Sequence, residues 1–316
     1  MFKKIKFLFF IFLFYFFIIY FEFQVTLPSK RNCILFYSNQ LKDDLRQVFI
    51  KAIKKTEESL HIITYSLFDK KILKEIRKKN KENIHIKIFY DKAKKKLLAG
   101  DYVKTKSKGL MHQKICVIDK KISFLGSANF TKSSLFMDGN LVVGIYSKEL
   151  ANFLSQEFPF KKKYFETFIN DQKIKIFILP EKDKKILNHI KNAIRKAKKN
   201  IKIAMFVMTH PEIIDELVEA KKRGVIISLV VDRNFKKYLE KKRIKFLVSN
   251  QIEVLHHKYM LIDDRIFIFG SSNFTKSAFS KNDEIVIILE KLNKKQRKVL
   301  NKLHNIITLE TFKKNL

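Results

Sequence analysis

The pattern His-x-Lys-x4-Asp-x6-Gly-Ser-x-Asn occurs twice in this 316-residue chain, beginning at His112 and again at His256. Aligned without a gap, residues 111–130 (MHQKICVIDKKISFLGSANF) and 255–274 (LHHKYMLIDDRIFIFGSSNF) share nine identities. The residue types point to phosphate chemistry. An imidazole can attack phosphorus or move a proton, and ammonium and carboxamide groups bind the non-bridging oxygens of a phosphodiester. Side chains two apart on a strand share a face, which sets His112 beside Lys114 and His256 beside Lys258. Gly126 and Gly270 are two of only seven glycines. Each ends an apolar run ahead of a polar stretch that can begin a helix, a turn suited to aiming N–H groups, a Ser hydroxyl and an Asn amide at an anion. Neither copy holds a complete acid–nucleophile pair. Facing each other, the two supply one imidazole to attack and one to protonate the departing oxygen, with no metal or other cofactor needed.

The elements that must position these residues are duplicated as well. AIKKTEESLHIITYSL from Ala52 matches AIRKAKKNIKIAMFVM from Ala193, and Ile84–Asp91 matches Val225–Asp232, both offset by 141 residues. Upstream, Cys33–Ser38 matches Ile174–Leu179 at the same offset. A constant offset over so long a stretch means two copies of one structural unit. In each copy a short strand leads to an amphipathic helix (Leu45, Val48, Phe49, Ala52 and Ile53; Ile186, Ile190, Ala193, Ile194 and Ala197). A buried strand follows at 60–67 or 201–208, then a second helix around Ile72, Leu73 and Ile76 or Ile213, Ile214 and Leu217, then a strand ending at Asp91 or Asp232. Alternating strands and helices predict an α/β fold with helices covering a buried sheet. The apolar runs flanking DKK and DDR predict hairpins. Between Asp91 and the first motif, and between Asp232 and the second, lie polar connections that differ by three residues, which changes the offset to 144. The C-terminal segment from Lys291 is read as an amphipathic helix closing the second unit.

At this point the chain resembles the phospholipase D superfamily of phosphodiesterases, over nearly all of its length beyond residue 29. The resemblance implies two duplicated α-β-α units, 30–170 and 171–316, with the active site between them. It also implies a covalent phosphohistidine intermediate, formed on His112, with His256 as general acid and then base. Lys114, Lys258, Asn129 and Asn273 would hold the phosphate, with Ser127 and Ser271 close by. Asp119 and Asp263 complete the motif and are structural by resemblance, in agreement with their place in the predicted hairpin turns. The family also places a carboxylate about 28 residues after each motif His to orient its ring. Glu284 stands at that distance from His256, but Asn140 stands there for His112. Asn accepts the same hydrogen bond without stabilising an imidazolium by charge. On that spacing Glu284 would serve His256 and the usual roles would reverse, with His256 the nucleophile and His112 the acid; Asp138 could stand in for Asn140 if the register slips. His61, His85, His189, His210, His257 and His304 belong to no such constellation.

Composition narrows the partners. Hydrophobic residues at 46% exclude a disordered chain, and the formal net charge of +35 points to polyanions, whether nucleic acid or an anionic membrane. Cys33 and Cys116 fit no metal or disulfide spacing. MFKKIK followed by fifteen apolar residues, Phe7 to Phe21, reads as an N-terminal hydrophobic helix, either a membrane anchor or an export signal occupying residues 1–29. As a helix that run spans about 22 Å, against ~30 Å of hydrocarbon core. The charge flanks favour a catalytic part on the non-cytoplasmic side. Three functions follow: a membrane-associated phospholipase D-type enzyme cleaving or transferring phosphatidyl groups, a membrane-tethered nuclease of the same superfamily, or an inactive anion-binding scaffold. No obligatory protein partner is implied, so a monomer suffices.

Overall fold

In the computed structural model, the described residues are 25–235, 239–240, 245–249 and 254–312. The predicted N-terminal hydrophobic helix at Phe7–Phe21 lies outside them. Among the described residues no helix is long and apolar enough to cross a membrane.

The duplication governs the architecture. The first sheet contains β1 (Ile34–Ser38), β2 (Ser59–Leu67), β3 (His85–Ala93), β4 (Asp101–Lys104), β5 (Lys114–Ile118), β6 (Ile122–Gly126) and β7 (Leu141–Tyr146), in the order β1-β7-β6-β5-β2-β3-β4. The second contains β8 (Tyr164–Ile169), β9 (Gln172–Leu179), β10 (Asn200–Met205), β11 (Ile226–Val231), β12 (Leu247–Val248), β13 (Lys258–Ile262), β14 (Ile266–Gly270) and β15 (Glu284–Glu290). Its order, β12-β11-β10-β13-β14-β15-β9-β8, is that of the first sheet with β8 added at the edge. In each sheet the strands after the crossover helices run parallel, β2 with β3 and β10 with β11, while the motif hairpins pair antiparallel. The polar connections carry a short strand each, β4 and β12, which their composition did not announce. β8 precedes the expected unit boundary at residue 170 yet pairs with β9.

Strands buried on both faces explain the continuous apolar runs. Along β5, Ile115 and Val117 point to the core between the sheets, while Cys116 and Ile118 point to the outer core. That outer face is covered by α1 (Leu45–Lys54), α2 (Lys70–Lys81) and α3 (Lys132–Phe136); α5 (Lys185–Arg195), α6 (Pro211–Lys222) and α7 (Lys276–Ser280) cover the second sheet. Between the sheets lie α4 (Lys148–Leu154) and the C-terminal α8 (Lys294–Phe312). Leu300, Leu303 and Ile307 of α8 join a core that also includes Ile34, Val143, Tyr259 and Phe267. The helix therefore seals both units, touching β1 as well as β10, and does not pack on the second alone. Phe36 of β1 meets Phe267 of β14 edge to face, with ring centroids 5.7 Å apart.

Candidate active site

The hairpin glycines set the site's floor. Gly126 and Gly270 have φ of 155° and 153°, and a Cβ on either would lie 2.1 Å from the carbonyl oxygen of Leu141 or Ile285. Only glycine allows the strand to turn this close to its neighbour. At the opposite end of each hairpin sit Asp119 and Asp263. Asp119 accepts from the backbone N–H groups of Glu57, Glu58 and Ser59, and Asp263 from those of Lys198, Lys199 and Asn200. Both therefore tie a hairpin turn to the helix–strand loop beside it.

The two motif segments are joined directly. Met111 bridges Asp283 and Gly139 bridges Leu255, with His112 N–H donating to Asp283 O at 2.8 Å and His256 N–H to Gly139 O at 2.9 Å. This interlock crosses the orienting residues between units. His112 Nδ1 lies 2.9 Å from both carboxylate oxygens of Glu284, and His256 Nδ1 lies 2.9 Å from Asn140 Oδ1. The spacing argument paired them the other way. Each orienting residue directly follows the residue that bridges the opposite motif, so it meets the imidazole of the other unit. The premise for reversed histidine roles therefore falls, since the carboxylate serves His112. Asp138 does not replace Asn140, which itself holds the ring.

Ser127 and Ser271, expected beside the phosphate, are engaged elsewhere. Ser127 Oγ donates to Asn140 Oδ1 at 2.8 Å and Ser271 Oγ to Glu284 Oε2 at 2.5 Å. Each hydroxyl also accepts the N–H of the residue after its partner, Leu141 or Ile285. Asn140 Nδ2 donates to Ser134 O and Oγ, which turns its Oδ1 to His256. His256 consequently donates through Nδ1 and carries a lone pair on Nε2. The Glu284 carboxylate imposes the same tautomer on neutral His112.

Lys114 and Lys258 are buried, each donating to the carbonyl of the preceding motif histidine, at 2.6 Å and 2.9 Å. Burial pushes Lys114 down to about 7, against the pull of Glu284. Burial and then the neighbouring Lys114 hold Lys258 well below the ordinary lysine range. His112 is lowered by burial while Glu284 pulls it back up. His256 lies well below the usual histidine value, through burial and then Lys258, Lys114 and His112. So crowded a set of basic groups holds its protons poorly until an anion arrives. Asn273 Oδ1 accepts from Val207 N–H, leaving its amide N–H groups as donors; Asn129 Oδ1 is buried without a partner among the described residues.

Sequence reasoning missed two aromatic rings. Tyr65 packs edge-on to His112 with centroids 5.5 Å apart, and Phe206 lies 5.3 Å from His256. They are 141 residues apart, so an aromatic at one repeat position was the available signal. Of the remaining histidines, His257 is buried against Gln40, and His304 is buried between Ser228 and Tyr259. Cys116 is a core residue. No cluster of metal-ligating side chains occurs among the described residues.

A duplicated α/β framework with paired His-Lys-Asn half-sites defines a phospholipase D-like protein. The family model described as "Cardiolipin synthase, PLD-like domain" matches residues 49–161 and 190–307, and the chain belongs to that family, one of the phospholipase D-superfamily enzymes. A cardiolipin synthase of Clostridium perfringens is 27% identical over 358 aligned positions, covering 90% of this chain and 74% of that protein. A phospholipase D of Rickettsia conorii is 35% identical over 108 residues, 32% of this chain and 54% of its own length, so only about half of that relative is matched. The fold resembles the phosphatidylserine synthase of Haemophilus influenzae with a TM-score of 0.70 at 14% identity, covering 90% of this chain and 88% of that one.

Proposed function

We propose that this protein is a phosphatidyl-transferring phosphodiesterase that works through a phosphohistidine on His112. The observation that carries the proposal is the unequal pair of imidazoles, His112 held by the Glu284 carboxylate and His256 by the Asn140 amide. Neutral His112 presents its Nε2 lone pair to phosphorus, and the Nδ1 proton faces a carboxylate that stabilises the positive ring as the P–N bond forms. The P–O bond to the leaving group breaks, and His256 Nε2–H protonates the departing alkoxide. His256 then takes the proton from the hydroxyl of the acceptor, which attacks phosphorus and releases His112. Lys114, Lys258, Asn129 and Asn273 neutralise the non-bridging oxygens, and Ser127 and Ser271 act one step back as positioning residues. The bound diester adds negative charge to that of Glu284. It thereby raises His256 and both lysines towards their protonated forms when protonation is needed.

A phosphatidyl group is favoured as the transferred unit because the Clostridium relative aligned across both units carries the name cardiolipin synthase. An alcohol is favoured over water as acceptor on the same ground. The anionic membrane is the place of action, reached through the apolar N-terminal segment and the lysine-rich surface.

The test uses detergent-solubilised full-length protein with labelled phosphatidylglycerol, phosphatidylcholine and single-stranded DNA in separate reactions. Transfer predicts cardiolipin plus free glycerol from phosphatidylglycerol. Phosphatidic acid as the main product would assign hydrolysis, and cleavage of DNA with the lipids untouched would overturn the proposal.

A further inference from the structure

The two units also differ at one place where the first is plugged and the second is open. In the first unit Arg46 on α1 lies between Asp69 and Phe136. Its guanidinium reaches Asp69 at 2.6 Å and stacks over the Phe136 ring at 3.9 Å. The repeat offsets place Leu187, His210 and Ser280 at these positions of the second unit. The correspondence is structural as well. Asp69 and His210 each stand at the N-cap position of the next helix, though only Asp69 caps it through its side chain, and their N–H groups donate to Phe130 O and Phe274 O respectively. No ion pair or stacked guanidinium forms among Leu187, His210 and Ser280, and all three line a cavity of about 960 Å³.

The cavity's chemistry is two-sided. Seven lysines line it against three carboxylates, while Phe158, Leu187 and Phe279 supply apolar surface. All three carboxylates are occupied, Glu181 by Ile186 N–H, Glu212 by Lys191 and Asp283 by the Ser107 hydroxyl. Lys182, Lys184 and Lys276 reach the cavity from two separate segments of the second unit. Lys184 is costly where it stands. It is the N-cap of α5 with a left-handed backbone (φ 51°) and no capping hydrogen bond, whereas the first unit caps α1 with Asp44, which accepts from Gln47 N–H. A cation at a helix N-terminus opposes the macrodipole, and a non-glycine residue in the left-handed region is strained. The Glu181 and Asp183 carboxylates accept first-turn N–H groups of α5 and offset part of that cost, and an anion beside Lys184 would offset more of it. The cavity also adjoins the catalytic centre, because Asp283 lines it and accepts the backbone N–H of His112.

We propose that this groove binds an anionic phospholipid, its phosphate among the lysines and its glycerol and first acyl carbons on the apolar wall. Resting on the transfer reading above, the occupant is the acceptor lipid, held while the donor's phosphorus is on His112. A phospholipid acceptor brings a second phosphate to the enzyme, and the catalytic centre has donors for one.

The probe is monomeric dihexanoyl phosphatidylglycerol, titrated calorimetrically into full-length His112→Ala protein so that no turnover intervenes. Rebuilding the first unit's plug with Leu187→Arg, His210→Asp and Ser280→Phe is expected to weaken one of the binding events about tenfold or more. In the same triple variant with His112 restored, turnover of bis(p-nitrophenyl) phosphate, too small to need the groove, is expected to persist. Unchanged lipid binding in the plugged protein overturns the proposal. So does equal binding of dihexanoyl phosphatidylcholine at this site. If the plug also abolishes small-diester turnover, Lys182→Glu with Lys276→Glu decides: a similar loss of phosphatidylglycerol binding sustains the proposal and no loss overturns it. A wild-type protein that binds the lipid in the groove but transfers no phosphatidyl group would retire the functional reading and leave the groove standing.

Discussion

The two halves share one sheet order and one motif, but they surround their orienting residues differently. In the second half Glu284 is backed by Ser271, and Ala278 stands nearby in sequence with no polar side chain to offer. In the first half Asn140 sits at the matching place and Ser134 replaces Ala278, accepting the Asn140 amide on both O and Oγ. Amide and serine therefore form a fitted pair for which the second half has no counterpart at Ala278. Because the interlock crosses, each difference is felt by the histidine of the other half. The carboxylate makes His112 a better cation, and the amide leaves His256 reluctant to become one. Two copies of one motif thus hold their imidazoles in unequal surroundings, which is the ground for proposing different roles for them.

The sharpest break of that comparison is to remove one imidazole at a time. His112→Ala is expected to abolish turnover and leave no acid-labile phosphoprotein, while wild-type protein quenched mid-reaction carries phosphate on His112. His256→Ala should slow alkyl diesters by about 10²–10⁴-fold, yet spare much of the rate for p-nitrophenyl esters, whose leaving group needs no proton. Phosphate mapped to His256 would return the roles to those suggested by sequence spacing. Next in size is Glu284→Gln, which keeps a hydrogen bond to His112 and deletes its charge. About 10²-fold should be lost from phosphohistidine formation in single-turnover measurements, and an equal loss from Asn140→Ala would deny the asymmetry.

A smaller change sharpens the comparison from the other side. Asn140→Glu together with Ser134→Ala gives His256 the surroundings of His112. Burial and neighbouring cations hold His256 well below its ordinary value, so the protonated acid is scarce and its supply falls as pH rises. A carboxylate on Nδ1 favours the charged ring and should move the alkaline limb of the first half-reaction upward by about one pH unit or more. The measurement is the single-turnover rate against pH with an alkyl leaving group. A limb that stays in place would mean that His256 is not the proton donor.

Much of this was legible in the sequence because it repeats. Two copies of a strand–helix grammar fixed the α/β class, the hairpins and the elements bearing His112, Lys114, His256 and Lys258. Pairing across the interface was not legible. Glu284 is nearest His256 by counting, but His112 meets it across 172 residues, through bridges that exist only once the units dock. The place of α8 was missed for a similar reason, since its apolar stripe says that it packs without saying against which sheet. The glycine turns and the family resemblance point Ser127 and Ser271 to the phosphate, and only their strand neighbours reveal that the hydroxyls bond to Asn140 and Glu284. The groove escaped notice because it is made by what Arg46, Asp69 and Phe136 became in the second copy.

The smallest expected effect concerns stability, and it separates Asp119 from Asp263. Both carboxylates gather three backbone N–H groups, but Asp119 is buried and Asp263 is half-exposed. Replacement by Asn removes charge-assisted acceptors in each case and should cost about 1–3 kcal/mol of stability, with Asp119→Asn the worse of the two. For Asp263, burial pushes the carboxyl up, but its three N–H donors outweigh this and hold it below the ordinary aspartate value. Its folded-state pKa is thus depressed, so its stabilisation is complete above the unfolded value and drains away as pH falls through the folded one. Wild-type and Asp263→Asn proteins should accordingly differ in denaturation midpoint at neutral pH and converge in acid. Activity per folded molecule should be unchanged at neutral pH, since the turn lies at the far end of the hairpin from His256. A variant that folds normally but loses turnover would place Asp263 in the chemistry.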